Sequence, residues 1–118
     1  MKRLIWLADT RSNVRFFPAS VQDALGFALY RAQLGESPLN SKPLHGVGAG
    51  VMEISGSDAS GTYRAVYTVS IGDAIDVVHA FQKKSKAGIE TPKREMDLIR
   101  QRLKQLRSEV KNAEKSTT

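Results

Sequence analysis

The chain has 118 residues, 41% hydrophobic and 25% charged, in the range of one globular domain with a modest core. It has no cysteine, which excludes disulfide staples, thiolate metal sites and a cysteine nucleophile. The net charge of +6 is localised: residues 83–118 hold eleven basic and five acidic residues, and residues 1–82 hold seven of each, a field that favours a polyanionic partner.

"LIWLA" at 4–8 is a short apolar run that predicts a buried strand. It is too short for the core of a secretion signal, and no run approaches the length of a membrane span, so the chain is expected in the cytoplasm. "DTRSNVRFF" reads as a connection or a single helical turn. From Pro18, the residues Val21, Leu25, Ala28, Leu29 and Ala32 recur on one helical face, with Ser20 placed as an N-cap and Gly35 as a C-terminal cap. A helix over 18–34 follows.

"GESPLNSKPLHGVGAG" carries the punctuation of a loop. Three strands come next, separated by "SGSDASG" and "SIGD". In the first, Val51 and Glu53 face one way. In the second, Thr62, Arg64, Val66 and Thr68 share one face, and Tyr63, Ala65, Tyr67 and Val69 the other. Strict alternation in the third puts Ile75, Val77, His79, Phe81 and Lys83 together, with Val78, Ala80 and Lys84 opposite. Thr91 and Pro92 then suit a helix start. Met96, Ile99, Leu103, Leu106 and Val110 form a narrow apolar seam, for the sheet or for a partner helix. The expectation is an α+β domain over 1–112, an antiparallel sheet with a short N-terminal strand and a three-strand meander, one N-terminal and one long C-terminal helix, and a frayed tail over 113–118.

Several chemistries are excluded by motif. "HGVGAGV" lacks the Lys-Ser/Thr of a phosphate loop and leads into a strand, where dinucleotide and P-loop sites need a helix. No nucleophile elbow accompanies either histidine. His45 and His79 stand too far apart for a helical metal pair, so neither metal nor cofactor is expected. What remains is a group of cations on neighbouring strands. Arg64 either pairs with Glu53 across the strands or faces an anionic ligand. Lys83 sits on the adjacent strand near Lys84 and His79. Three cations and an imidazole suit a phosphodiester, and an imidazole such as that of His79 suits proton transfer. Its position beside Phe81 suits a hydrogen-bonded core histidine equally well. His45 lies in the glycine-rich loop and has less support than His79. Residues 83–118 hold no aromatic, so nucleic-acid contact there would be to phosphate, through Lys84, Lys86, Lys93 and Arg94.

"YRAVYTV" followed by "IDVVHAFQKKSKAGIETPKREMDLIRQRL" resembles the phage-related, HigB-like branch of the RelE/ParE superfamily of toxins. The matching residues are Tyr63, Arg64, Tyr67, His79, Phe81, Lys83, Lys84, Ser85, Thr91, Pro92, Glu95 and Arg102, with Lys42, Leu44, Gly46, Gly50 and Glu53 upstream. The resemblance implies a RelE-like fold and the toxin of a type II toxin–antitoxin pair. It implies an endoribonuclease (mRNA interferase) that cuts mRNA on the translating ribosome and is neutralised in a hetero-oligomer by an antitoxin, expected as a small helix-turn-helix protein. It places Arg64 at the scissile phosphate, with Lys83 and Lys84 on RNA or rRNA phosphate. The chain departs from the pattern at Glu53-Ile54-Ser55, where an arginine is usual, in the "GIE" before Thr91, and in lacking a C-terminal His or Tyr. The alternatives are a ParE-like inhibitor of DNA gyrase and a phage-encoded binding protein without RNA chemistry.

Overall fold

The computed structural model describes residues 1–83 and 91–116. Its elements are β1 (Arg3–Trp6), α1 (Thr10–Arg15), α2 (Ala19–Gln33), β2 (Ser41–Pro43), β3 (Val51–Asp58), β4 (Gly61–Thr68), β5 (Ala74–Lys83) and α3 (Lys93–Ser116). One five-stranded sheet runs in the order β1-β5-β4-β3-β2. Helices α1 and α2 cover one face of the sheet and α3 the other. This is the α+β architecture expected, compatible with a RelE-like fold.

Each sheet face has its own core. Val21, Leu25, Ala28, Leu29 and Ala32 of α2 pack on Ile54, Tyr63, Ala65, Tyr67, Ile75 and Val77. Gly56 permits the close approach, since a Cβ there would lie 3.3 Å from a methyl of Val21. On the other face, Ile99, Leu103 and Leu106 of α3 bury against Val51, Val66, Val78 and Phe81, with Met96 and Val110 at the margins. The α3 seam therefore packs internally. Burying a Leu of this kind stabilises by about 2 kcal/mol, so the helix docks by its seam, not by propensity.

The structure corrects several local expectations. β1 ends at Trp6 and pairs with β5 in parallel, Arg3 with Ala74 through Trp6 with Val77. The loop before β3 contains β2, which pairs antiparallel with β3 and sets Lys42 opposite Glu53. The β3–β4 turn is tighter than its sequence implied, with Asp58 paired to Gly61. The Asp58 carboxylate accepts from the Ser60 N–H at 2.8 Å and closes the turn. Ser20 is not a cap: α2 starts after Pro18, without a side-chain cap bond. The far end follows expectation, with Gly35 at φ +84° after Leu34. Thr91 turns its hydroxyl to Glu53, not to the start of α3. α3 itself is helical to Ser116, beyond the point at which the tail was expected to fray.

The most consequential correction lies in β5. Val66 pairs with His79 and Tyr67 with Val77, so Val78 is an extra residue, a β-bulge. Alternation is reset there. Ile75, Val77 and Ala80 face α2, whereas Val78 and Phe81 face α3. Cross-strand partners share a face, so His79, opposite Val66, also looks toward α3 and no longer shares a face with Val77.

Candidate functional site

Four neighbouring strands deliver the site to the α3 face. Lys42 on β2 is opposite Glu53 on β3, Glu53 is opposite Val66, and Arg64 on β4 is opposite Phe81. Lys83 on β5, opposite Thr62, is diagonal to Arg64, a spacing of about 7–8 Å.

The Arg64 Nη1 lies 2.9 Å from Glu53 Oε1, and both side chains are buried. The contact is an ion pair, not an aligned hydrogen bond. The other Glu53 oxygen, Oε2, accepts from the Thr91 hydroxyl at 2.8 Å. Glu53 thus joins β4 to the approach of α3. Two buried charges of opposite sign are tolerable only because each is paired.

Lys83 is half-buried. Desolvation pulls its pKa down from the usual lysine range. The like charges of Arg64 and Lys42 act in the same direction, and Glu53 opposes them. Lys83 therefore has Arg64 and Lys42 as neighbouring cations, with Glu53 the opposing anion.

A cavity of about 560 Å³ opens beside the Arg64–Glu53 pair, lined by Lys42, Pro43, Leu44, His45, Glu53, Thr91 and Met96. A second, of about 590 Å³, lies on the other side of the α3 start and includes Phe16, His79, Phe81, Arg94 and Glu95.

His79 is buried, 4% exposed, which decides its chemistry. Its Nε2 meets the Glu95 carboxylate. Its Nδ1 lies 2.9 Å from Arg102 Nη1. A guanidinium only donates, so Nδ1 accepts and Nε2 carries the proton given to Glu95. Arg102 also donates to the Val78 carbonyl at 3.0 Å and pairs with Asp9 at 2.9 Å. The guanidinium thereby satisfies the carbonyl of the bulge residue and ties β5 to α1. Phe81 stacks on the imidazole at 5.2 Å between centroids. Both ring nitrogens are occupied, which is the hydrogen-bonded core role.

Register makes Lys83 and His79 the two diagonal neighbours of Arg64 on β5, but the His79 ring is engaged by Glu95 and Arg102 of α3. Lys93 and Arg94 are exposed at the start of α3. Lys84 and Lys86 fall outside the described residues. Lys42, Glu95 and Arg102 matched the family pattern, yet sequence reasoning gave them no role in the site. Their partners are distant in sequence, and only the sheet register and the bulge bring them in. Among the described residues no group of three or more His, Asp or Glu side chains is arranged to hold a metal, and no helix is long and apolar enough to cross a membrane.

A family model described as phage-derived protein Gp49-like (DUF891) matches residues 12–104. The chain belongs to that family, a toxin–antitoxin family of RelE-like type. No curated protein matches the chain.

Proposed function

We propose that this Gp49-like family member is the toxin of its pair: an endoribonuclease that cuts mRNA on the translating ribosome and so stops protein synthesis. Its partner is a cognate antitoxin, a small helix-turn-helix protein that holds it inactive in a hetero-oligomer in the cytoplasm. The observation that carries this reading is the cluster of Lys42, Arg64 and Lys83 on one sheet face, beside an open cavity.

The chemistry needs no group beyond side chains. The 2′-oxygen bonds to the adjacent phosphorus, the bond from phosphorus to the 5′-oxygen breaks, and a 2′,3′-cyclic phosphate remains. Negative charge builds on the phosphoryl oxygens in the transition state. Arg64, already oriented by Glu53, and Lys83 stabilise that charge, a contribution that is larger in a partly desolvated site than in water. Lys84, Lys86, Lys93 and Arg94 hold flanking phosphates. They supply affinity without sequence preference. His79 is a positioning residue: it fixes Glu95 and Arg102, and through them the seat of α3 on the bulged strand.

Pulse labelling after induction tests the proposal. Incorporation of labelled amino acids should stop within minutes while thymidine incorporation continues. Loss of DNA synthesis first, with protein synthesis intact, would support the gyrase-directed alternative and overturn this one.

A further inference from the structure

The cleavage route moves two protons, yet His79 has neither nitrogen available. The chain has one other imidazole, His45. It is exposed and lines the cavity that holds Lys42 and Glu53. Among the described residues, no hydrogen bond or ion pair engages its ring. Its backbone is nevertheless well placed. Leu44 donates its N–H to Val51 at 2.9 Å and packs into the α3-side core. Gly46 then turns with φ +83°, a conformation that a side chain resists. His45 is thus held at the cavity rim between an anchored leucine and a glycine turn.

We propose that His45 is the general base of the site, accepting the 2′-hydroxyl proton of a single-stranded RNA bound across the sheet. The inference rests on the RNA-cleavage reading above and names a residue for a step that the reading leaves open. The contacts around the cavity support it. Lys42 and Glu53 line the same cavity as His45, and Glu53 pairs with Arg64. A phosphate drawn to that end of the cationic cluster therefore meets the imidazole at the cavity rim. The proton of the 2′-hydroxyl passes to the free imidazole nitrogen. The 2′-oxygen bonds to phosphorus, and the 5′-oxygen leaves and takes a proton from water. Exchange with solvent then restores the imidazole.

The charged groups around the His45 loop are Lys42 from β2, Glu53 from β3, and Arg100 and Arg107 from α3, the last donating to the Val47 carbonyl at 2.8 Å. The Arg100 guanidinium lies 3.6 Å from the position a Cβ would take on Gly46.

The test is single-turnover cleavage of a translated mRNA on purified ribosomes, from about pH 5.5 to 8.5, with wild type, H45A and H45Q. Binding of a 2′-O-methyl RNA of the same sequence is measured in parallel. His45 is exposed, so both variants should melt with the wild type. We expect cleavage to fall about 100-fold or more, within the range general bases contribute. The rising limb of the pH profile should disappear, affinity for the methylated RNA should hold, and imidazole should partly rescue H45A. Wild-type rates or an unchanged pH limb in H45A would overturn the assignment and leave the endoribonuclease reading intact. Absence of cleavage by the wild type itself would overturn both.

Discussion

Arg64 and Glu53 form a buried ion pair on adjacent strands, 2.9 Å apart, with a cluster of further cations beside it. The pair gives the arginine proposed to bind phosphate a structural role as well. Arg64→Ala would leave an uncompensated carboxylate in the sheet, at a cost of about 3–5 kcal/mol. Its loss of toxicity would then be ambiguous. Arg64→Ala with Glu53→Gln removes both charges and should recover part of that stability. The double variant is expected to fold, by urea denaturation, and to remain non-toxic. A toxic double variant would remove Arg64 from the chemistry.

His79 should behave differently from a proton-transfer residue. His79→Ala leaves Glu95 and Arg102 without their shared partner and should destabilise the fold by about 1–3 kcal/mol. The rising limb in the pH dependence of the residual activity should persist. Thermal melts alongside pH–rate profiles check both halves of this prediction.

Lys83 should lose its charge at lower pH than an ordinary lysine, whose pKa is about 10.4. RNA affinity of the wild type is expected to weaken as pH rises toward that value. Lys83→Arg should hold its affinity over the same interval. Fluorescence anisotropy with a short 2′-O-methyl RNA reads the difference. Raising salt should weaken both proteins steeply, because phosphate contacts release counterions.

Asp76 offers a pH test of the fold itself. Burial raises its pKa, against a hydrogen bond from Thr68 and the charge of Arg3. The folded state therefore holds the proton more tightly than the unfolded chain. Its contribution to stability is full below about pH 3.9, the unfolded value, and is lost as pH rises through the higher folded value. Asp76→Asn keeps an acceptor for Thr68 and removes the buried charge. It should be more stable than wild type at neutral pH, with the advantage vanishing in acid. Urea midpoints at pH 4 and pH 7 decide it.

Much of this structure is legible in the sequence, and the residues show why. The five buried positions of α2 follow from helical spacing alone, because a helix on a sheet buries one stripe. The faces of β4 follow from period two, and the Arg64–Glu53 pair was one of two readings open to a mid-strand arginine. β5 defeated the same rule. A bulge inserts one residue without a compositional mark, since Val77 and Val78 are alike and both are buried. β2 is only three residues and includes Pro43, tolerable because β2 is an edge strand. The His79 network joins residues from β5, α3 and the β1–α1 connection. Such contacts depend on tertiary placement and leave no local pattern.

The glycines before β3 turn the chain into the sheet, and Gly50 makes the point measurable. Its φ is +73°, and an added Cβ would fall 2.0 Å from the Ser70 hydroxyl oxygen. Gly50→Ala should destabilise by about 2 kcal/mol or more, from strain plus displacement of Ser70. It should also weaken toxicity, because the same loop presents His45. Gly72→Ala is the comparison: its φ is +67°, but nothing lies within 4 Å. It should carry the strain without the collision and melt between Gly50→Ala and the wild type.

The claim that this protein cuts translated mRNA is tested most directly by sequencing mRNA 5′ ends after induction, in cells with and without a block on translation initiation. New ends in codon register within translated messages, absent when initiation is blocked and absent in the folded Arg64/Glu53 double variant, are predicted. An unchanged set of mRNA ends in cells whose growth has stopped would contradict the account.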